Sequence, residues 1–411
     1  LMLLDARRFI RNISSPPSLR YRDFRILWLS GVFNSVGFMG EMVVLGWVLL
    51  ELTDSPFMVG VGMGVRMLPF LLFGILAGSV ADRVDRRRLM LMLGLALSGV
   101  TSILSVIILS DSLAVWHLLI GSFVIGTLWG FYQTSRQSFA FDIVGPDHIV
   151  SAFGLISLGM RVGAIFGSLA VGFFLDQIGA GVCYLLISVS YLSSSFILLF
   201  VNPQGQEMPS AGISIWRSMA EFVQEVRGNP NLLALVMLTA AVEVLGFSHQ
   251  VLLPSLARDV FHVGSDGLGV MNAVRAVGGI IAVLIVSSFG DRPRKGLSFL
   301  IVLLIFGGGL VILGNVSTFL LALVAVMLIS GMATLSDVYS QSMMQTAVPN
   351  AFRGRAMGAW VFAVGTAPVG QVQIGWLASA LGMAAALSAN GVVLAALAIG
   401  CYVLLPRLRR L

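Results

Sequence analysis

The sequence predicts an all-α membrane protein with twelve transmembrane helices, arranged as two six-helix bundles that are related by a pseudo-two-fold axis along the membrane normal. Three observations predict this fold class: the composition, the number of long apolar segments, and an internal repeat. Of the 411 residues, 57% are hydrophobic and 11% are charged, and the mean hydropathy is +0.96. Soluble domains carry about 25% charged residues. We therefore expect the chain to lie in a membrane.

The apolar segments define the helices. A helix needs about 20 apolar residues to cross a bilayer, and the chain supplies twelve stretches of that kind. None shows the period-two alternation of a barrel strand, so the pattern excludes a transmembrane β-barrel. The predicted segments are 26–50, 57–81, 88–109, 114–141, 150–172, 180–201, 231–257, 266–290, 296–314, 318–345, 354–380 and 384–405.

An internal repeat relates the two halves at a constant shift of 209 positions. It places Arg66 on Arg275, and the dipeptide Asp82-Arg83 on Asp291-Arg292. Lys and Arg together number only 25, so charged matches at one shift inside apolar sequence indicate duplication. A membrane protein made of two parallel repeats is typically a transporter whose substrate site lies between the halves.

The longest polar stretch between segments divides the chain. The predicted organisation has a cytoplasmic N-terminal arm, two bundles, a cytoplasmic linker with an amphipathic helix, and a cytoplasmic tail. Within the linker, Trp216 and Val223 share one helical face, which we expect to rest on the membrane surface. The corresponding ranges are 1–25 for the arm, 26–201 for the N-terminal bundle, 202–230 for the linker, 231–405 for the C-terminal bundle and 406–411 for the tail.

The basic residues predict the orientation. The net charge is +6, and all but five of the 25 Lys and Arg lie in the arm, the tail, or the loops after segments 2, 6, 8 and 10. The positive-inside rule therefore predicts that both termini are cytoplasmic. The excess of positive charge is then a topology signal with a secondary attraction to anionic lipids, and it does not indicate a nucleic-acid partner.

The turn after segment 2 carries the most specific motif. Its sequence, Gly78-Ser-Val-Ala-Asp82-Arg83-Val-Asp85-Arg-Arg87-Arg88, resembles the loop signature of the major facilitator superfamily, Gly-x-x-x-Asp-Arg-x-Gly-x-Arg-Arg. One position departs from that signature, because Asp85 replaces the second glycine. Further motifs, among them Phe24-Arg25-x-Leu27-Trp28, resemble the enterobactin-exporter-like and macrolide-efflux-like branch, in which Asp at that position is ordinary. This resemblance implies a bacterial inner-membrane transporter that works by alternating access.

The same motif predicts a cytoplasmic latch between the halves. A residue without a side chain at Gly78 permits close helix packing, and Asp82 can attract the N-terminus of a facing helix, which we expect to be segment 11. Arg86 or Arg87 can bridge Asp82 to Asp142. Alternatively, the arginines only anchor the loop at lipid headgroups. The predicted latch comprises Gly78, Asp82, Arg83, Arg86, Arg87 and Asp142.

Three carboxylates inside the segments are predicted proton-coupling residues: Glu243 first, then Glu41, then Asp337. A charge near the bilayer centre is costly and normally faces a cavity or a partner, and such a carboxyl group can bind and release a proton. Asn34, not Glu41, is the repeat mate of Glu243, so the duplication does not preserve a carboxylate pair. The alternative is a static ion pair, Glu243 with Arg275 or Glu41 with Arg66.

Four arginines inside the segments favour a neutral or anionic substrate, unless internal ion pairs consume their charge. The side chains of Asn34 and His249 and the aromatic rings of Phe247 and Tyr339 can contact an amphipathic ligand. Aromatic residues in membrane proteins also often serve as packing or interface anchors. The predicted cavity residues are Asn34, Arg66, Arg136, Arg161, Arg275, His249, Phe247 and Tyr339.

The sequence predicts no cofactor, metal site or enzymatic activity. It lacks the phosphate-binding loop Gly-x-x-x-x-Gly-Lys-Ser/Thr, and its four His are widely separated. We expect a monomeric exporter of a drug-like or siderophore-like amphipathic molecule, driven by proton antiport, with the substrate, protons and membrane lipids as its partners. The alternative on the same fold is an uncoupled facilitator or a lipid or lysolipid translocator. A receptor without transport is a more distant alternative, because the sequence lacks a large extra-membrane domain.

Overall fold

The computed structural model describes residues 16–202, 230–289, 295–346 and 360–404, which are helical and include no strand. A short 3-10 helix, Pro17–Arg20, precedes the first span. The spans are α1 (Arg22–Thr53), α2 (Pro56–Arg83), α3 (Arg86–Leu109), α4 (Val115–Val144), α5 and α6 (149–178 and 180–198), α7 (Pro230–Ala241, continued irregularly to Val260), α8 (Gly264–Phe289), α9 (Lys295–Asn315), α10 (Phe319–Thr346), α11 (Ala367–Leu381, preceded by a helical stretch from Trp360) and α12 (Met383–Leu404).

The predicted number of twelve spans agrees with the structure once one long helix is divided. In the described residues, 11 helices are long and apolar enough to cross a membrane. One of them, Ile149–Leu198, is 50 residues long and is interrupted at Gly179, where φ is 82° and ψ is 163°. A backbone in that region strongly favours glycine. The chain reverses there, so the two parts are the separate spans α5 and α6.

Local sequence explains several helix ends. Pro56 opens α2, where its fixed φ suits the first helical turn and its missing N–H costs nothing. The Asp85 carboxylate caps α3 by accepting a hydrogen bond from the Arg88 backbone N–H at 2.8 Å. Gly145, with φ of 69°, ends α4. These helix ends define short connections between antiparallel neighbours in the N-terminal bundle.

The span α7 is the least regular helix of the described residues. After Ala241 it changes to a π-helical turn, Val242–Gly246, then to a 3-10 stretch, Phe247–Leu252, and to a second π-helical turn, Leu256–Val260. π-helical turns inside α-helices frequently occur at functional sites. From the 3-10 stretch onward, the irregular part of α7 contacts the other half of the molecule, where Pro254 packs against Gly46 of α1.

Two equivalent contacts join the halves and display the predicted repeat. Gly60 on α2 packs against Gly375 on α11, and its repeat mate Gly269 on α8 packs against Gly172 on α5. A Cβ atom built on Gly172 would lie 2.7 Å from the Cα atom of Gly269, so the backbones touch directly, as small residues allow between membrane helices. The two bundles are thus related as the duplication predicts.

In the part of the chain that the structure describes, buried apolar residues of the two halves meet at the end of the molecule where α1 joins α2. The largest buried cluster combines residues from both halves, such as Leu49 and Leu50 of α1 with Leu252 and Leu253 of α7. The cluster around Phe24 belongs to the N-terminal half alone. We call the first side, where the α1–α2 connection lies, the Asp54 side, and the opposite one the Asp142 side. The halves are therefore packed together on the Asp54 side.

Several predicted features lie outside the described residues. These are most of the N-terminal arm, the linker with its amphipathic helix, the tail, and the start of segment 11. The surroundings of Gly78 and the side chain of Asp82 also lie outside what the structure describes.

Candidate functional site

A cavity of about 370 Å³ lies between the halves. This is within the usual range of ligand pockets. It is bounded by α1, α5, α7, α8 and α10, so both halves contribute to it. The lining residues are Met39, Ser157, Met160, Arg161, Ala164, Ser168, Phe247, His249, Gln250, Asn272, Arg275, Ala276, Ser330, Ala333, Thr334 and Asp337.

One face of α5 shows how the cavity closes. Residues at 154, 161 and 168 share this face because they are seven positions apart. Arg161 and Ser168 line the cavity, and Gly172, one turn further, touches α8. In the opposite direction, a Cβ built on Gly154 would meet no atom of the described residues within 4 Å. The walls therefore meet toward the Asp54 side and separate toward the Asp142 side.

Polar contacts reinforce the closure on the Asp54 side. Ser265 at the start of α8 donates its hydroxyl to the Gly172 carbonyl at 2.7 Å and its backbone N–H to the Asp176 carboxylate at 3.1 Å. Arg258 of α7 donates to the Leu50 carbonyl at 3.2 Å and pairs with Asp54. These bonds connect the ends of helices from opposite halves.

Two guanidinium groups and one carboxylate face the cavity. Arg161 donates to the Thr334 hydroxyl at 3.2 Å across the interface, and it interacts electrostatically with Asp337. The Arg161 guanidinium occupies the space that a Cβ atom on Gly279 would need. Arg275 donates to the Asn272 amide oxygen at 2.6 Å. In the described part of the chain neither arginine has a carboxylate within 4.0 Å.

His249 lines the cavity with one ring nitrogen engaged. Its Nδ1 lies 2.6 Å from the Gly246 carbonyl oxygen, and because a carbonyl only accepts, Nδ1 is the donor. The Nε2 atom is buried and has no hydrogen-bond partner among the described residues. A neutral imidazole in this tautomer offers an acceptor at Nε2.

Glu243 lies behind the cavity wall. It occupies the π-helical turn of α7, is 6% exposed, and interacts electrostatically with Asp337. The alternative of a Glu243–Arg275 ion pair is not present in the described residues. Of the three predicted carboxylates, Asp337 is the one that lines the cavity, and Glu243 lies near it.

Glu41 forms the static ion pair that the sequence left as an alternative. Its carboxylate accepts a hydrogen bond from Arg66 Nε at 2.6 Å, and both side chains are 0% exposed. Arg66 also donates to the Phe38 carbonyl at 3.0 Å, and its guanidinium carbon lies 3.9 Å from the centre of the Phe38 ring. This pair lies inside the N-terminal bundle.

Four of the eight predicted cavity residues line the cavity, namely Arg161, Arg275, His249 and Phe247. The other four do not. Arg66 is paired with Glu41. Asn34 and Arg136 are buried in the N-terminal bundle, where Arg136 contacts the Gly31 carbonyl. Tyr339 packs beside the small apolar cluster of the C-terminal bundle.

The prediction missed Gln250, Asn272 and Thr334, which line the cavity. Asn272 accepts a hydrogen bond from Arg275, and Thr334 accepts one from Arg161. Gln250 had a readable signal, because the repeat places it on Glu41. Asn272 lies three residues before Arg275 and so shares its helical face.

The predicted latch residues that are described make contacts within the N-terminal half. Arg86 donates to both carboxylate oxygens of Asp142 at 2.6 Å, joining the start of α3 to the end of α4. Arg87 donates to the Leu198 and Leu199 carbonyls at the end of α6, where a cation is favoured by the helix dipole. Arg83 is exposed. A latch between the halves through Asp82 stays a prediction.

Comparison with known proteins identifies the family. Residues 13–410 match the family model described as transmembrane secretion effector, which is part of the major facilitator superfamily. The chain belongs to this family. It is a multi-pass membrane transporter and not an enzyme, and the predicted resemblance to the enterobactin-exporter-like branch is confirmed.

The similar curated proteins include siderophore transporters. The chain is 22% identical over 399 residues to the enterobactin exporter of Citrobacter koseri, covering 94% of this chain and 92% of the relative. It is 23% identical over 253 residues to the staphyloferrin A transporter of Staphylococcus aureus, covering 61% and 62% of the two chains.

Similar solved structures share the fold. A bacterial homologue of the human lysosomal transporter Spinster superposes with a TM-score of 0.74 at 16% identity, covering 96% of this chain and 98% of the other. A peptide transporter superposes with a TM-score of 0.79 at 14% identity, covering 95% of each chain.

Proposed function

We propose that this transporter exports an amphipathic, siderophore-like or drug-like small molecule across the bacterial inner membrane by alternating access, in exchange for protons. The observation that carries the proposal is the charged cavity between the halves, closed on the Asp54 side and widening toward the Asp142 side. The curated relatives that export enterobactin and transport staphyloferrin A support a cargo of this class.

The orientation gives the direction of loading. With the Asp142 side in the cytoplasm, as the positive-inside rule predicts, the cavity opens toward the cytoplasm. An exporter takes up its cargo from this side. In the state that is open to the outside, the contacts between α5 and α8 and between α2 and α11 must separate. This separation is a rocking motion of one bundle against the other.

Two acidic residues are proposed to couple this motion to protons. Glu243 is buried while the Asp54 side is closed, and burial of an ionised carboxylate costs much more than burial of the neutral acid. Protonation of Glu243 from the outside therefore favours closure of the Asp54 side. Asp337 interacts electrostatically with Glu243 and lines the cavity, so it provides a path by which the proton leaves.

Glu41 is the weakest of the three coupling candidates. Its carboxylate already compensates the charge of Arg66, and neither group is exposed. Removing the charge of a buried pair partner is strongly destabilising, so a proton cycle at Glu41 would disrupt the bundle in every turnover. We propose a structural role for Glu41 and a coupling role for Glu243 and Asp337.

Uptake into everted membrane vesicles tests the proposal. Vesicles energised to be acid inside are given radiolabelled enterobactin, staphyloferrin A and a set of hydrophobic drugs. We expect uptake of at least one compound by the wild type, and an uptake about tenfold lower for Asp337→Asn. A tenfold effect lies within the usual range for coupling between two sites. Asp111→Asn, which changes an exposed loop carboxylate, is the matched control.

Two outcomes contradict the proposal. Uptake that persists at the same rate after the proton gradient is collapsed would indicate an uncoupled facilitator. Absence of uptake for every compound, in vesicles with a measured gradient and normal protein level, would direct the search toward lipid or lysolipid cargo.

A further inference from the structure

The internal repeat is broken at one buried ion pair. In the N-terminal half, Glu41 and Arg66 form a fully buried pair beside the Phe38 ring. The repeat mates of Phe38 and Arg66 are retained as Phe247 and Arg275, but the mate of Glu41 is Gln250. The C-terminal half therefore keeps the arginine and lacks its carboxylate.

In the described part of the chain, the Arg275 guanidinium lines the cavity with one hydrogen-bond partner, which is neutral. It donates to the Asn272 amide at 2.6 Å, and its Nε has no partner among the described residues. Buried charges are ordinarily paired because an uncompensated charge is costly away from water. A ligand oxyanion would supply the negative charge that Glu41 supplies to Arg66.

A second guanidinium shares the cavity. Arg161 reaches Thr334 from the other half at 3.2 Å, and the two arginines interact electrostatically. Asp337 is the one carboxylate that lines the cavity in the described part of the chain, so two lining cations face a single lining anion. This balance favours an anionic ligand and disfavours a cationic one.

His249 adds an acceptor beside these donors. Its side chain is 1% exposed, and its Nε2 has no hydrogen-bond partner in the described residues although it lines the cavity. With Nδ1 bound to the Gly246 carbonyl, Nε2 of the neutral ring accepts a hydrogen bond. The cavity thus combines donors for an oxyanion with an acceptor for a neighbouring hydroxyl.

We propose that Arg275, Arg161 and His249 form an oxyanion subsite, and that the cargo carries an ionised oxygen next to a hydroxyl group, as in an α-hydroxycarboxylate or an ortho-hydroxybenzoate. The inference rests on the proposed function as a small-molecule transporter and specifies its substrate class. Gln250 lines the cavity and stands at the repeat position of Glu41, so on this proposal a carboxylate in its place pairs with Arg275 and competes with the cargo.

Equilibrium dialysis with the purified full-length protein tests the subsite without any proton gradient. The probes are radiolabelled salicylate, which has the required oxygen pair, and salicylamide, its neutral counterpart. For a ligand of this size we expect a Kd on the order of 1 mM for salicylate, and binding of salicylamide at least about tenfold weaker, equivalent to about 1.4 kcal/mol.

The decisive variant is Gln250→Glu, which restores the charge pattern of the N-terminal half. We expect it to bind salicylate at least about tenfold more weakly than the wild type, with a melting temperature equal to or above that of the wild type because Arg275 gains a partner. Ser112→Glu adds the same charge in an exposed loop as a control.

Equal binding of salicylate and salicylamide by the wild type overturns the inference. So does the absence of salicylate binding at about 10 mM, which is tenfold above the expected Kd. Binding of salicylate by Gln250→Glu with the affinity of the wild type overturns it as well. Because dialysis involves neither transport nor protons, these results are independent of the vesicle uptake experiment. An uncoupled transporter can still have the subsite, and a proton-coupled one can lack it.

Discussion

Neutralising Glu41 is expected to destabilise the N-terminal bundle. In Glu41→Gln the side chain keeps its shape and an oxygen acceptor for Arg66, but the guanidinium loses its compensating charge. Both groups are 0% exposed and lie 2.6 Å apart, so solvent cannot replace the lost interaction. Removing one partner of a buried pair costs about 3–5 kcal/mol, and because one hydrogen bond can persist we expect about 3 kcal/mol of lost unfolding free energy.

The assay is unfolding of the purified protein in mixed micelles, titrated with a denaturing detergent and followed by circular dichroism. Glu51→Gln is the matched control, because Glu51 is on the same helix, is exposed, and accepts a hydrogen bond from Trp47 at 2.7 Å. We expect that control to cost no more than about 1 kcal/mol.

A double variant separates the lost charge from lost packing. Arg66→Met combined with Glu41→Gln removes the unpaired cation, and replacing both partners of a buried pair by uncharged groups is often close to neutral. We therefore expect the double variant to regain most of the stability lost in Glu41→Gln. Equal stability of Glu41→Gln and Glu51→Gln would refute the structural role and return Glu41 to the coupling candidates.

Two further predictions concern the ends of the cavity. Gly172→Val places side-chain atoms against the backbone of Gly269. We expect a folded protein with at least tenfold less uptake and a longer distance between spin labels on α5 and α8 at the Asp54 side. An unchanged distance would contradict this prediction. In Arg86, Nη1 donates to both oxygens of Asp142 and Nε donates to the Ala81 carbonyl; Arg86→Lys keeps the charge but cannot reproduce this divided geometry. We expect it to lose about 1–2 kcal/mol of unfolding free energy and Arg86→Ala to lose more. Equal stability of all three proteins would be the contrary result.

The fold was predictable because a bilayer imposes a requirement that is local in sequence. Each span needs a long apolar segment, and the segments can be read one at a time. The break at Gly179 fell between predicted segments 5 and 6 for this reason. The irregular course of α7 was not predictable, because it depends on tertiary contacts, such as Gly370 of α11 packing on the Val244 backbone.

The sequence predicted how deep in the membrane the site lies, but not which side of each helix faces it. Polar residues inside apolar segments identify the level of the cavity, but apolar side chains surround a membrane helix on its lipid-facing and its protein-facing sides alike. Arg161 and Arg136 therefore looked equivalent in the sequence, although one lines the cavity and the other is buried in its own bundle. The repeat was the better guide, since it exposed the difference between Glu41 and Gln250.

Proton movement coupled to cargo is the most direct test of the proposed antiport. Everted vesicles are energised to be acid inside and loaded with a pH-sensitive dye, and the compounds that show uptake are added. The account predicts cargo-dependent release of protons from the vesicles, which is lost in Glu243→Gln and in Asp337→Asn at equal protein levels. Cargo uptake without proton release, or release that both variants retain, would contradict it.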